Sequence, residues 1–152
     1  MAMDEDYVKN AVICELSRLG FVVTDIKTAR EHGVDIVAKR RYKKPSVRYF
    51  LVEAKGDSGK DAKKPGSGRE VRFLQSVGQL ATRIHPERGY YYGLAYPMSY
   101  KRLVIDGKKG PRLSPGLLKA LHIHLFFVDS KRKVEHLTWR DVRDSQVAAV
   151  NK

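Results

Sequence analysis

Cysteine is almost absent. The single Cys14 has no partner for an intrachain disulfide and no companions for a zinc cluster, so neither staple is available. Long apolar runs are absent too. No stretch approaches the roughly 18 residues that a membrane-spanning helix requires, and the opening "MAMDEDYVKN" is acidic, without the basic-then-apolar order of a signal peptide. A chain with these gaps is expected in a reducing cytoplasm, away from the membrane. Acid is the third scarcity: 17 Asp and Glu face 30 Lys and Arg, a net charge of +13 with a sequence pI near 9.9. Such a surface favours a polyanionic partner, nucleic acid above all, or else simply keeps a basic domain in solution.

The chain does have the means to fold. Its 152 residues are 42% hydrophobic, enough for one domain with a sizeable core and too few for two, so residues 1–152 are expected to form a single unit. Val8, Ala11, Val12, Leu16 and Leu19 recur at helical spacing, and Gly20 closes the pattern, predicting a helix over 5–19. Three β-branched and aromatic stretches follow at 21–27, 34–40 and 48–55 and predict a strand meander. "GDSGKDAKKPGSG" (56–68) is nearly devoid of apolar residues and reads as a mobile basic loop. Beyond it, Phe73, Leu74, Val77, Leu80, Ala81 and Ile84 share one face of a helix predicted over 69–84.

The remainder alternates again. Residues 90–96 predict a strand, and "MSYKRLV" a short helix. "SPGLLKAL" predicts a helix with Ser114 as N-cap and Pro115 in its first turn. "HIHLFFV" (122–128) and "VEHLTW" (134–139) predict a pair of strands across the turn "DSKRK". His122 and His124 have the spacing of two imidazoles on one strand face. No Cys or carboxylate completes a tetrahedral zinc site with them, so they read as hydrogen-bonded structure.

Acid stands out where the strand pattern asks for core. If 34–40 and 48–55 form a hairpin centred near Lys44, opposed residues have numbers that sum to 88, and Asp35 faces Glu53. Like charges so placed, with Cβ atoms about 5 Å apart, destabilise a sheet unless a cation neutralises them. Lys55 shares the face of Glu53 and reaches diagonally toward Asp35. That pairing is a salt bridge at a strand end in one reading. In the other, the two carboxylates and the Ala54 carbonyl form a hard-oxygen site suited to Mg²⁺, or to Mn²⁺ in its place, with Lys55 beside it.

Asp35 followed by Glu53-Ala54-Lys55 resembles the D…ExK signature of the PD-(D/E)XK nuclease superfamily, and the helix and strand order over residues 5–96 is similar as well. "GFVVTDIKTAREHGVDIVAKR…YFLVEAKG" is similar in texture to Holliday-junction resolvases and restriction-type nucleases. Val34 stands where the family's nominal proline precedes the aspartate; that residue is not a ligand. The resemblance implies an α/β, restriction-endonuclease-like fold, a central mixed sheet flanked by helices with an αβββαβ core. It implies a Mg²⁺-dependent endonuclease acting on DNA, with Asp35, Glu53 and Ala54 holding the metal and Lys55 as the catalytic lysine. A homodimer would be natural for a double-strand cutter.

Many members add an acid from the first helix. Glu5, Asp6 and Glu15 are the candidates, with Glu5 preferred, and the position from which the family acid usually comes is Lys9 in this chain. Several subfamilies carry a glutamine on the second helix at the active site or the DNA backbone, which implicates Gln79 and Gln75, with Arg72 and Arg83 nearby. Phosphate contacts are expected from Arg40, Arg41, Lys43 and Lys44 in the hairpin turn, from Lys60, Lys63 and Lys64 in the basic loop, and from Arg72. A non-catalytic nucleic-acid-binding module with the same fold is the competing reading.

Overall fold

The computed structural model describes residues 2–27, 33–41, 47–57, 65–106 and 111–151, with the side chains of 65–67 excepted. Helix α1 (Glu5–Arg18) starts where the Asp4 side chain accepts from the Tyr7 N–H at 2.7 Å, satisfying one of the orphan donors of the first turn. Strands β1 (Val22–Ile26), β2 (Ile36–Arg41) and β3 (Val47–Ala54) form an antiparallel meander. Helix α2 (Pro65–Ala81) leads to β4 (Tyr90–Pro97), which lies parallel to β3. A 3-10 turn (Met98–Tyr100), the one-turn helix α3 (Lys101–Val104) and α4 (Pro115–Leu121) then lead to β5 (Ile123–Val128), parallel to β4. Strand β6 (Val134–Leu137) pairs antiparallel with β5, and α5 (Trp139–Val150) closes the chain.

The result is one six-stranded mixed sheet in the order β1-β2-β3-β4-β5-β6, flanked by helices on both faces, as the resemblance implies. Period-two alternation decides which helix each residue meets. Ile36, Ala38, Phe50, Val52, Ala54, Ala95 and Phe126 pack with Val8, Val12 and Leu16 of α1. Their neighbours in sequence, Leu51, Leu94, Tyr96, Leu125 and Phe127, pack with Phe73 and Leu80 of α2, Leu118 of α4 and Val142 of α5. The central strands are therefore apolar on both sides, as buried parallel strands must be.

Several sequence expectations are corrected. Helix α2 begins at Pro65, within the stretch read as a loop over 56–68, while Gly56 and Asp57 at the other end are tied down; residues 58–64 lie outside the described residues. Within α2, Leu74 is 55% exposed and Ser76 is fully buried, because the Ser76 hydroxyl meets the Tyr96 hydroxyl at 2.5 Å. Strand β6 stops at Leu137, where Thr138 caps α5: its N–H and hydroxyl both donate to Asp141, at 2.7 and 2.9 Å. Helix α5 has no counterpart in the sequence reading, since Val142 is its sole buried residue and its apolar stripe is too thin to register.

Candidate active site

The hairpin adopts the anticipated register. Ile36 pairs with Val52, Val37 with Leu51 and Ala38 with Phe50, each pair summing to 88. Asp35 lies one residue before the ladder, so continuation of that register sets it against Glu53. Both residues are buried, at 8% and 2% exposure. Asp35 Oδ2 accepts from the Ala54 N–H at 2.7 Å, which fixes the carboxylate across the strand end.

The cation on Asp35 is not Lys55. It is Lys9 of α1, whose ammonium lies 3.4 Å from Asp35 Oδ1 and 2.8 Å from Glu5, and donates to the Lys27 carbonyl at 3.0 Å. Lys9 is 3% exposed. Burial alone would lower its pKa, but the Glu5 and Asp35 carboxylates outweigh that penalty and hold it above its ordinary value. Glu5 thus reaches the site indirectly, as the second carboxylate on Lys9. The signal for this residue was present in the sequence, since Lys9 sits beside Val8 in the apolar stripe and Glu5 precedes it at i, i+4 spacing.

Lys55 is placed differently because the chain leaves the sheet at that point. Its N–H donates to the Ala95 carbonyl at 3.0 Å, and the next residue, Gly56, is clamped: the Tyr100 hydroxyl donates to its carbonyl at 2.8 Å. A Cβ at Gly56 would stand 2.4 Å from the Glu5 nitrogen, so only glycine lets the strand end pass this close to the start of α1. Asp57 and Met3 exchange two hydrogen bonds beside it, of 2.6 and 3.0 Å. Among the described residues the Lys55 ammonium forms no ion pair, and its charge is felt at Glu53.

Glu53 is the most perturbed carboxyl of the site. Burial first, then the charge and hydrogen bond of Asp35, push its pKa up to about 8 against the opposing charges of Lys55 and Arg83. Its Oε1 is buried and has no hydrogen-bond partner. An orphaned carboxylate oxygen next to a second carboxylate is the environment that a hard cation satisfies, so the donor set fits one Mg²⁺ that keeps several of its waters. Among the described residues no three His, Cys, Asp or Glu side chains converge, so a cage built wholly of protein is not formed there.

The other anticipated residues are scattered. Gln75 and Gln79 are both exposed on α2, without side-chain hydrogen bonds among the described residues. Arg72 is half-buried and turned against the Tyr100 hydroxyl, with Nη1 buried and unpartnered. Arg40 donates to the Leu19 carbonyl at 2.9 Å and lies across Gly20, while Arg41 is exposed at the end of β2. Lys43, Lys44, Lys60, Lys63 and Lys64 lie outside the described residues. Glu15 is engaged by Arg18 at 2.6 Å and sits away from the acid pair.

The two histidines of "HIH" do not project together from a strand. His122 takes a left-handed conformation (φ 54°) at the end of α4, and only His124 lies in β5. Its partner is His136 of β6, with Nδ1 and Nε2 2.6 Å apart. Burial and the neighbouring imidazoles push His124 down to about 4, and burial lowers His136 as well, so the pair is neutral and shares one N–H. This is hydrogen-bonded structure, as the sequence suggests.

No protein-family model matches the chain, and no curated protein matches it. Among solved structures, an XisH family protein from Nostoc punctiforme PCC 73102 is similar at 17% identity and a TM-score of 0.46, over 86% of this chain and 97% of that one. An fdxN element excision controlling factor protein from Anabaena variabilis is similar at 17% identity and a TM-score of 0.38, over 86% and 96%. Likeness at this level bears on neither activity nor partners.

Proposed function

We propose that the chain is a Mg²⁺-dependent endonuclease that hydrolyses phosphodiester bonds of DNA, with Asp35, Glu53 and the Ala54 carbonyl as ligands. The observation that carries this reading is the buried, unpartnered Oε1 of Glu53 beside the Asp35 carboxylate. Bound there, the ion supplies Lewis-acid polarisation of the phosphodiester and a water of lowered pKa. Asp35 is held rigid by the Ala54 N–H and by Lys9, so it is oriented before substrate arrives. Glu53, held protonated near neutral pH mainly by burial, would lose that proton to solvent in order to serve as a ligand. Lys55, free of ion pairs among the described residues, orients the attacking water or offsets negative charge developing on the phosphate. The net charge of +13 draws a polyanion to the protein and makes affinity fall with salt.

The test is cleavage of supercoiled, linear, single-stranded and four-way-junction DNA in Mg²⁺ and in EDTA. Wild type should cut at least one substrate in Mg²⁺ alone. Lys55→Ala should bind that substrate with unchanged affinity and lose at least tenfold in rate, within the range for a lost electrostatic group; full activity in the variant would remove Lys55 from the mechanism.

One observation favours a second reading, a non-catalytic nucleic-acid-binding module. Lys9 already neutralises Asp35 from within the protein. That reading expects DNA binding indifferent to Mg²⁺, and a calorimetric Mg²⁺ titration of wild type and Asp35→Asn separates the two: a site lost in the variant supports the nuclease.

A further inference from the structure

At the opposite end of β3 and β4 from the acid pair lies an open cleft of about 440 Å³, lined by Arg48, His85, Arg88, Tyr90, Tyr91 and His122 among others. Tyr49 precedes Glu53 by four residues on β3, so the two ends stand roughly 13 Å apart at about 3.3 Å per residue. That volume is within the usual range for a small-ligand site. Three rings form a continuous stack at its edge: Tyr49 on Tyr90 at 5.0 Å and 18°, and Tyr90 on His85 at 4.3 Å and 15°. His85 is exposed at the outer end of this stack, and its backbone N–H donates to the Tyr92 hydroxyl at 2.6 Å, which fixes that backbone in the wall.

Two guanidinium groups border the cleft beside the stack. Neither Arg48 nor Arg88 forms an ion pair among the described residues, although Glu87 also lines the cleft. Gly89, at φ +97°, brings its carbonyl within 2.8 Å of the Tyr49 nitrogen, and a Cβ there would touch the Arg48 guanidinium at 3.6 Å. A flat ring surface next to two unpaired guanidinium groups selects a ligand that is aromatic at one end and anionic at the other. A carboxylate at the rim adds an acceptor for an exocyclic amino group.

We propose that this cleft binds one unpaired nucleotide of a nucleic-acid strand, its base extending the Tyr49–Tyr90–His85 stack and its phosphate between Arg48 and Arg88. Base–aromatic stacking tolerates every base, so the site discriminates unpaired from paired nucleotides rather than one sequence from another. It is separate from the acid pair and stands whether or not the chain cuts DNA.

The experiment is fluorescence anisotropy of a labelled deoxyadenosine 12-mer in EDTA, where no cleavage competes, with the same oligomer made abasic and with deoxyadenosine monophosphate as competitor. His85→Ala, an exposed change that a thermal melt will verify as folded, should weaken the 12-mer roughly fivefold or more, the size of one lost stack. It should leave the abasic oligomer unchanged. Arg48→Gln combined with Arg88→Gln should weaken both oligomers and make the slope of log affinity against log salt shallower by roughly 0.7 for each phosphate that is no longer neutralised. Displacement by the monophosphate, abolished in His85→Ala, would make a free nucleotide sufficient, and binding of the strand alone would require the chain context; either upholds the cleft. Equal binding of normal and abasic oligomers by wild type, or no effect of His85→Ala on the 12-mer, would overturn it.

Discussion

At the C-terminal end of β3, acid is buried and neutralised from within; at the N-terminal end of the same strand, basic groups stand unpaired around a stack of rings. Glu53 and Asp35 are almost without solvent, and Asp35 answers to Lys9, a lysine equally buried. Arg48 and Arg88 answer to no carboxylate among the described residues and border an open cleft. A buried charge must find its partner inside the fold because desolvation is costly, whereas a solvated charge is left available for a ligand. The first end is thus expensive to disturb, and the second is cheap.

The largest effect should come from Lys9→Met. It leaves Asp35 and Glu5 without their shared cation, and breaking a buried pair costs about 3–5 kcal/mol. For a chain of this size that is a fall in Tm of roughly 6–20 °C, measured by calorimetry. Adding Asp35→Asn should recover a large part of the loss in a double-mutant cycle; no coupling between the two would break the contrast between the ends.

Next in size is a pH effect at Glu53. Its folded pKa of about 8 lies above the ordinary 4.5, so the native state binds the extra proton in between, and stability falls as pH rises from about 4.5 through about 8. Urea denaturation at pH 5 and pH 8.5 should show that decline in wild type and little of it in Glu53→Gln. Mg²⁺ should protect wild type more at pH 8.5 than at pH 5, because the ligand is the deprotonated carboxylate.

The histidine pair slopes the other way. His124 is depressed to about 4 from 6.5, so its stabilisation is present above 6.5 and is lost as pH falls through about 4. His136→Asn should shallow the acid limb of the same denaturation series. The smallest effect belongs to Gln79→Ala, an exposed change on α2 expected to move stability by no more than about 0.5 kcal/mol. A larger shift would mean that Gln79 packs against the acid end.

Legibility varied in the same way across the molecule. The strands and their hairpin register could be read from alternation because a slip of one residue would turn Ile36, Phe50 and Val52 away from α1. The strand at 90–96 was legible, and Tyr92 is buried in it, but Tyr90 also stacks on His85 from beyond α2 and on Tyr49 from a neighbouring strand. No spacing along the chain encodes that meeting. Helix α5 escaped notice because a helix with Val142 as its one buried residue has no stripe to detect.

Local chemistry therefore determined the elements, the facing of Asp35 and Glu53, and the need for a cation between them, since period-two geometry and like-charge repulsion act on residues close in sequence or closed by a short turn. Which cation answers was decided only by tertiary structure. Lys55 is nearer to Glu53 in the chain, but the tight passage at Gly56 takes the strand end away, and the packing of α1 against the sheet delivers the Lys9 ammonium to Asp35.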